Sequence, residues 1–198
     1  MILAAFFILG FGLCASGGTG ASSHKKEESY DIYNNTMRVV RRNGSLHLLW
    51  YSDELKSSVA KCLRSNLLNK TKYGSRRTLE INEKQQKDDT SEQLKTNISI
   101  FVKRTSASAT VTAEDDKGLL PPRWTETHDV LNATRHCFVL RAVVIQAKPM
   151  WKSECVVFGV KSSEECFEMA ERDCTQGTKV NLTECEGVGK KGKRKTPK

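Results

Sequence analysis

Two stretches decide the fold, residues 136–146 (HCFVLRAVVIQ) and residues 155–160 (CVVFGV). Both are rich in β-branched and aromatic residues, and the segment between them contains Pro149, so they read as the arms of a β-hairpin. Directly after them the pattern changes. Ser162-x-x-Glu165 has the form of a helix capping box. Cys166, Ala170 and Cys174 then recur at i, i+4 and i+8, one face of a helix, with Phe167 beside them.

Helix geometry restricts how these cysteines pair. Eight helical residues rise about 12 Å, whereas the Cα atoms of a disulfide lie within about 7 Å, so Cys166 does not bond Cys174. A hairpin turning near Pro149 sets Cys137 opposite residue 161, so Cys137 and Cys155 are not cross-strand partners either. The economical arrangement bonds the helix to both strands and leaves Cys185 to reach back to Cys62. With Cys137 and Cys155 directed outward at a helix, strand alternation turns Phe138, Leu140, Ala142, Val156, Phe158 and Val160 inward. The interior on this side is then wholly apolar, and the small Ala142 leaves room for a ligand.

Earlier segments continue the β pattern. Residues 45–51 (SLHLLWY), 58–67, 77–83, 97–105 and 108–113 read as strands, residues 30–42 as a short helix, and Asn43-Gly44 as a turn. Seven or eight strands followed by a helix predict an antiparallel barrel with a helix packed on its outside. Residues 1–20 have the shape of a signal peptide, with the apolar run MILAAFFILGFGL too short to span a bilayer. A barrel domain is expected over 21–187 and a disordered basic tail over 188–198. The tail carries six positive charges and no acid, so the rest retains +3 of the net +9. Removal of Cys14 with the leader leaves six cysteines, an even set fitting an oxidising compartment. Without a C-x-x-C pair, and with His24, His47, His128 and His136 scattered, a zinc site is not expected. Six N-x-S/T sequons, at Asn34, Asn43, Asn69, Asn97, Asn132 and Asn181, mark expected surface glycans. Asn97 should face solvent, with Ile98 and Ile100 inward.

Leu48-Leu-Trp-Tyr51, Lys61-Cys62, Cys137-Phe-Val-Leu140, Cys155-Val-Val-Phe158 and Glu165-Cys166-Phe167, in that order and cysteine spacing, resemble the tick salivary lipocalins of the histamine-binding family. The likeness spans residues 30–185. It implies an eight-stranded antiparallel lipocalin-like barrel with a short N-terminal helix and a C-terminal helix outside. It also implies bridges Cys62–Cys185 and Cys137–Cys166, which leaves Cys155–Cys174.

The role implied is that of a secreted lipocalin sequestering a small host mediator, either a biogenic amine such as histamine or serotonin, or a leukotriene-like lipid. The effect is to blunt host inflammation or defence. Amine-binding members carry one acid directly after the cysteine that corresponds to Cys137 and another in a Glu-Leu-Trp/Tyr segment. Here those places hold Phe138 and Val156-Val157-Phe158. A buried ammonium without a paired carboxylate is costly to desolvate, so the sequence favours the apolar ligand unless Glu80 or Asp129 supplies the acid. The candidate ligand-binding residues are Trp50, Phe138, Leu140, Val156, Phe158 and Asp129. Trp124 and Trp151 are candidates for loops at the barrel mouth. Arg64, Arg77 and Arg141 are candidate anchors for a ligand carboxylate, though each reads more readily as an outward strand residue. The alternative is an inhibitor that binds a host protein, a complement, platelet or coagulation target, with the barrel as scaffold and the basic tail adhering to a polyanionic glycan or anionic surface. No G-x-S-x-G, H-E-x-x-H or phosphate loop is present, so no enzyme, cofactor or metal is expected. A monomer that binds no nucleic acid and lacks a membrane span is expected.

Overall fold

The computed structural model describes residues 20–60, 62–82, 93–118, 120, 122–142 and 152–186. The leader expected over 1–20, apart from Gly20, lies outside these residues, as do the tail at 188–198 and Trp151. The elements are α1 (Gly20–Val40), β1 (Ser45–Ser52), a 3-10 turn (Asp53–Leu55), β2 (Leu63–Thr71), β3 (Gly74–Asn82), β4 (Gln93–Arg104) and β5 (Ala109–Asp115). They continue with α2 (Pro122–Thr125), β6 (His128–Ala133), β7 (Cys137–Arg141), β8 (Cys155–Gly159), α3 (Glu164–Asp173), β9 (Gly177–Lys179) and α4 (Leu182–Glu186).

Strands β1 to β8 pair antiparallel in sequence order and close into a ring because β1 is shared. Its first residues pair with β2 (Leu46 opposite Ser65) and its later ones with β8 (Tyr51 opposite Val156). Closure leaves the ring no unpaired edge. Where β2 diverges, β9 takes over the free side of β1, with Tyr51 opposite Thr178. Three-residue β9 and the short α4 are not among the elements expected from the sequence. The hairpin pairs Cys137 with Gly159 and Arg141 with Cys155. This corrects the expected partner of Cys137, residue 161, by two positions. A shift of two preserves every inward and outward assignment.

Two apolar layers result. Inside the ring lie Leu46, Leu48, Leu79, Ile98, Val111, Phe138 and their neighbours. Outside it, Leu49, Trp50, Val139 and Val157 pack against Phe167, Met169 and Ala170 of α3. The disulfides Cys137–Cys166 and Cys155–Cys174 cross this outer layer, and Cys62–Cys185 ties the chain end to the start of β2. The capping box expected at Ser162 and Glu165 does not form. The helix starts one residue later with Ser163 at its N-cap, which places a disulfide-bonded cysteine three residues on and makes no side-chain cap bond.

The N-terminal helix is longer than the sequence pattern indicates. Ile32, Thr36, Met37, Val39 and Val40 are buried, while Tyr30 is 52% exposed. The Ser29 hydroxyl donates to the carbonyls of Thr105 and Ser108, tying α1 to the β4–β5 turn. At its other end, the guanidinium of Arg77 is wholly buried beneath the helix terminus. Nε donates to Ser65 Oγ (3.1 Å), Nη1 to the carbonyls of Val40 and Arg42 (2.9 and 3.2 Å), and Nη2 to those of Gly44 and Ser65 (2.7 and 2.8 Å). All five N–H donors of the fork are therefore used. The outward reading of Arg77 is thus corrected. It points into the ring, where the negative end of the α1 dipole and the orphan carbonyls beyond it offset the cost of burying its charge. Gly44, at φ 101°, supplies the left-handed turn that presents its carbonyl to Arg77.

Replacing Arg77 with Met should therefore destabilise the fold by about 3 kcal/mol or more, because several buried carbonyls lose donors at once. Arg77→Lys should recover only part of the loss, since three ammonium donors do not reproduce the planar fork. Urea unfolding of the three proteins measures both differences.

An apolar cavity as the candidate functional site

The ring encloses a cavity of about 130 Å³. Along the regular stretches of the strands, alternation turns one side chain in two inward: Leu46 from β1, Leu63 and Ser65 from β2, Leu79 from β3, Ile98 and Ile100 from β4, and Val111 and Ala113 from β5. The hairpin contributes Phe138, Leu140, Ala142, Val156 and Phe158. Val160, also expected inside, is half-buried against the barrel core and does not line the cavity. Asn97 is exposed between strand neighbours, and Ile98 and Ile100 are buried, as strand parity requires. Phe138 and Phe158, directly paired across the hairpin, lie 6.0 Å apart between ring centroids. The Trp124 ring, carried by α2, meets Phe158 edge-on at 6.1 Å.

Two candidate ligand residues lie elsewhere. Trp50 is buried, but on the outer face against α3. A bulge between Leu48 and Trp50 sends both Leu49 and Trp50 outward before Tyr51 returns to the interior. Its indole then packs on the backbone of β9 at Gly177, where a Cβ would stand 2.2 Å from the ring. Asp129 is on the outer surface of β6, 3.3 Å from the Arg141 guanidinium. Arg64 is exposed, and its Nε donates to Ser45 Oγ.

Among the described residues none that lines the cavity carries a carboxylate. Glu80, the other acid considered for an amine, faces outward, where Oε1 accepts from Lys95 Nζ (3.0 Å) and Asn66 Nδ2 (3.2 Å). Among the described lining residues three are polar: Ser58, Ser65 and His128. Ser58 Oγ donates to the Leu55 carbonyl, and His128 Nδ1 is 3.2 Å from the Arg141 carbonyl. Ser65, which sequence reasoning missed, stands on the cavity floor as a hydrogen-bond partner of Arg77. A serine within a polar strand gives no signal of its own, and its role depends on Arg77 being turned inward. Among the described residues no group of histidine, cysteine and acidic side chains could hold a metal ion, and no helix is long and apolar enough to cross a membrane.

A closed eight-stranded antiparallel ring with an apolar interior and helices outside it is a lipocalin-like barrel. Among solved structures the chain is similar to japanin from Rhipicephalus appendiculatus, bound to cholesterol, with a TM-score of 0.53 at 14% identity over 72% of this chain and 95% of that one. At that identity the likeness is one of fold. No protein-family model matches the chain, and no curated protein does.

The outer pair of Glu80 with Lys95 has a pH signature. Burial acts to raise the Glu80 carboxyl, but the hydrogen bond and charge of Lys95, then the Asn66 bond and the Arg64 charge, outweigh it and hold the pKa below its ordinary value. A lowered folded pKa stabilises the fold above the unfolded value of about 4.3, and this contribution is lost as pH falls through the folded one. Because Lys95 is 59% exposed, solvent limits the effect to about 1 kcal/mol or less. Glu80→Gln should be slightly less stable than wild type at pH 7, with the gap closing as pH falls below about 4. Thermal melts across that range test this.

Proposed function

We propose that the protein is a secreted lipocalin that sequesters a small, mainly apolar ligand in its barrel, in the manner of the tick salivary lipocalins its motifs resemble. The observation that carries the reading is the lining. It is a recessed, nearly uninterrupted apolar surface with a few polar groups, which is the usual composition of a small-molecule site. The three disulfides support an oxidising, extracellular setting. A binding protein, and not an enzyme, is the reading that the barrel supports.

The lining argues against the amine ligands of the histamine-binding family. An ammonium entering this cavity would exchange its hydration for aliphatic and aromatic walls, without an anion. The volume bears on ligand size. About 130 Å³ is below the roughly 300 Å³ at which drug-sized sites begin and close to that of a dry cavity of about 150 Å³ that takes benzene. The cavity as it stands therefore accepts a compact apolar group or one end of a longer molecule. A sterol such as the one bound to japanin would have to widen it.

A second reading, an inhibitor that docks on a host protein, is favoured by one surface feature. Tyr30, Tyr73 and Phe101 are exposed, with Arg104 stacked over Tyr30 and Lys72 over Tyr73. Of the six sequons, Asn43, Asn69, Asn97 and Asn181 are exposed. Asn34 and Asn132 are half-buried, and the amide nitrogen of Asn132 donates to Asp173.

Intrinsic fluorescence separates the two readings, because of the three tryptophans Trp124 lines the cavity and Trp50 does not. Titration with an apolar probe such as butylbenzene should change the emission of wild type and of Trp50→Phe by similar amounts. Trp124→Phe should lose most of the response. An unchanged spectrum in all three at saturating probe would mean that the cavity takes no ligand and would favour the protein target.

A further inference from the structure

The polar group on the cavity floor bears on the ligand's chemistry. Ser65 is buried, its side chain faces the cavity, and its oxygen accepts a hydrogen bond from Arg77 Nε. Arg77 uses all five donors on Ser65 and on the carbonyls of Val40, Arg42 and Gly44, so it has none left for a ligand. The Ser65 hydroxyl proton, by contrast, has no acceptor among the described residues. Ser58 differs in this respect, since its proton goes to the Leu55 carbonyl.

Charge acts in the same direction. Every hydrogen bond that Arg77 makes falls on a neutral oxygen, and among the described residues no carboxylate pairs with it. Dipoles of the α1 terminus compensate the cation only in part. In surroundings of low dielectric, its field extends through Ser65 into the cavity. A hydroxyl that accepts from a guanidinium is also a stronger donor toward a third group.

We propose that Ser65, polarised by Arg77, is the specificity residue of the cavity, and that the ligand's buried end is an oxygen acceptor, a carboxylate or a hydroxyl, and not an ammonium. This rests on the reading of the cavity as a ligand site. Ser65 donates to the ligand oxygen. Arg77 is a positioning residue that holds the serine and favours negative charge above it. The ligand class is an apolar chain or ring that carries one such oxygen at its inner end. An ammonium meets both the wrong field and a donor where it needs an acceptor.

The test uses the full-length secreted protein and four probes: decanoate, 1-decanol, decylamine and butylbenzene, titrated calorimetrically at pH 7. Butylbenzene and decanol should bind, and decanoate should bind at least about tenfold more tightly than decylamine, as a charge-assisted hydrogen bond is worth. In Ser65→Ala the decanoate affinity should fall by about fivefold or more, with butylbenzene unchanged. Binding of decylamine as tight as that of decanoate, or a Ser65→Ala variant that binds decanoate normally, would overturn the proposal while butylbenzene binding still upheld the cavity. Failure of all four probes would overturn the ligand-site reading itself. Should Ser65→Ala fold poorly, the wild-type order of decanoate and decylamine still decides.

Discussion

The fold depends on how one buried cation is satisfied. Arg77 points from β3 into the interior of the ring, where an unpaired guanidinium would be prohibitively costly. The terminus of α1 and the turn after it lower that cost with the carbonyls of Val40, Arg42 and Gly44, of which Val40 is one that the helix end leaves without an intrahelical partner. Two incomplete parts thus complete each other. The helix needs donors at its end, the strand needs acceptors for its fork, and their meeting closes the barrel at that point. It also sets the Ser65 hydroxyl at the cavity floor, so a demand of folding becomes a property of the site.

The outer layer supplies rigidity of a different kind. Leu49, Trp50, Val139 and Val157 face away from the ring and would be a liability if left open to water. The helix α3 covers them, fixed by Cys137–Cys166 and Cys155–Cys174 to the two strands of one hairpin. The same two strands turn Phe138, Leu140, Val156 and Phe158 inward. Stapling the helix outside therefore fixes the orientation of the aromatic and aliphatic wall inside, because strand parity links the two faces.

That linkage explains what was legible in the sequence. On β7 and β8 each cysteine marks an outward position, and alternation alone gives five of the lining residues, even with the hairpin turn displaced by one residue. The positions that resisted reading are those where alternation breaks or where the partner is remote. Trp50 follows a bulge that no pattern in residues 45–51 announces. Arg77 looks like an ordinary exposed strand residue, and three of the four carbonyls that hold it lie 33 to 37 positions earlier on the chain. Ser65 acquires meaning only through Arg77. Asp129 fell outside for the opposite reason, since the strands are regular there and its neighbours His128 and Val130 take the inner face.

The account as a whole rests on the cavity being a site that holds a molecule. Native mass spectrometry of the secreted, deglycosylated protein addresses this most directly, with and without an added apolar carboxylic acid. The account predicts a complex one ligand heavier than the polypeptide, which releases an uncharged or acidic apolar molecule on denaturation. Bare polypeptide alone, in the presence of excess acid, would contradict it.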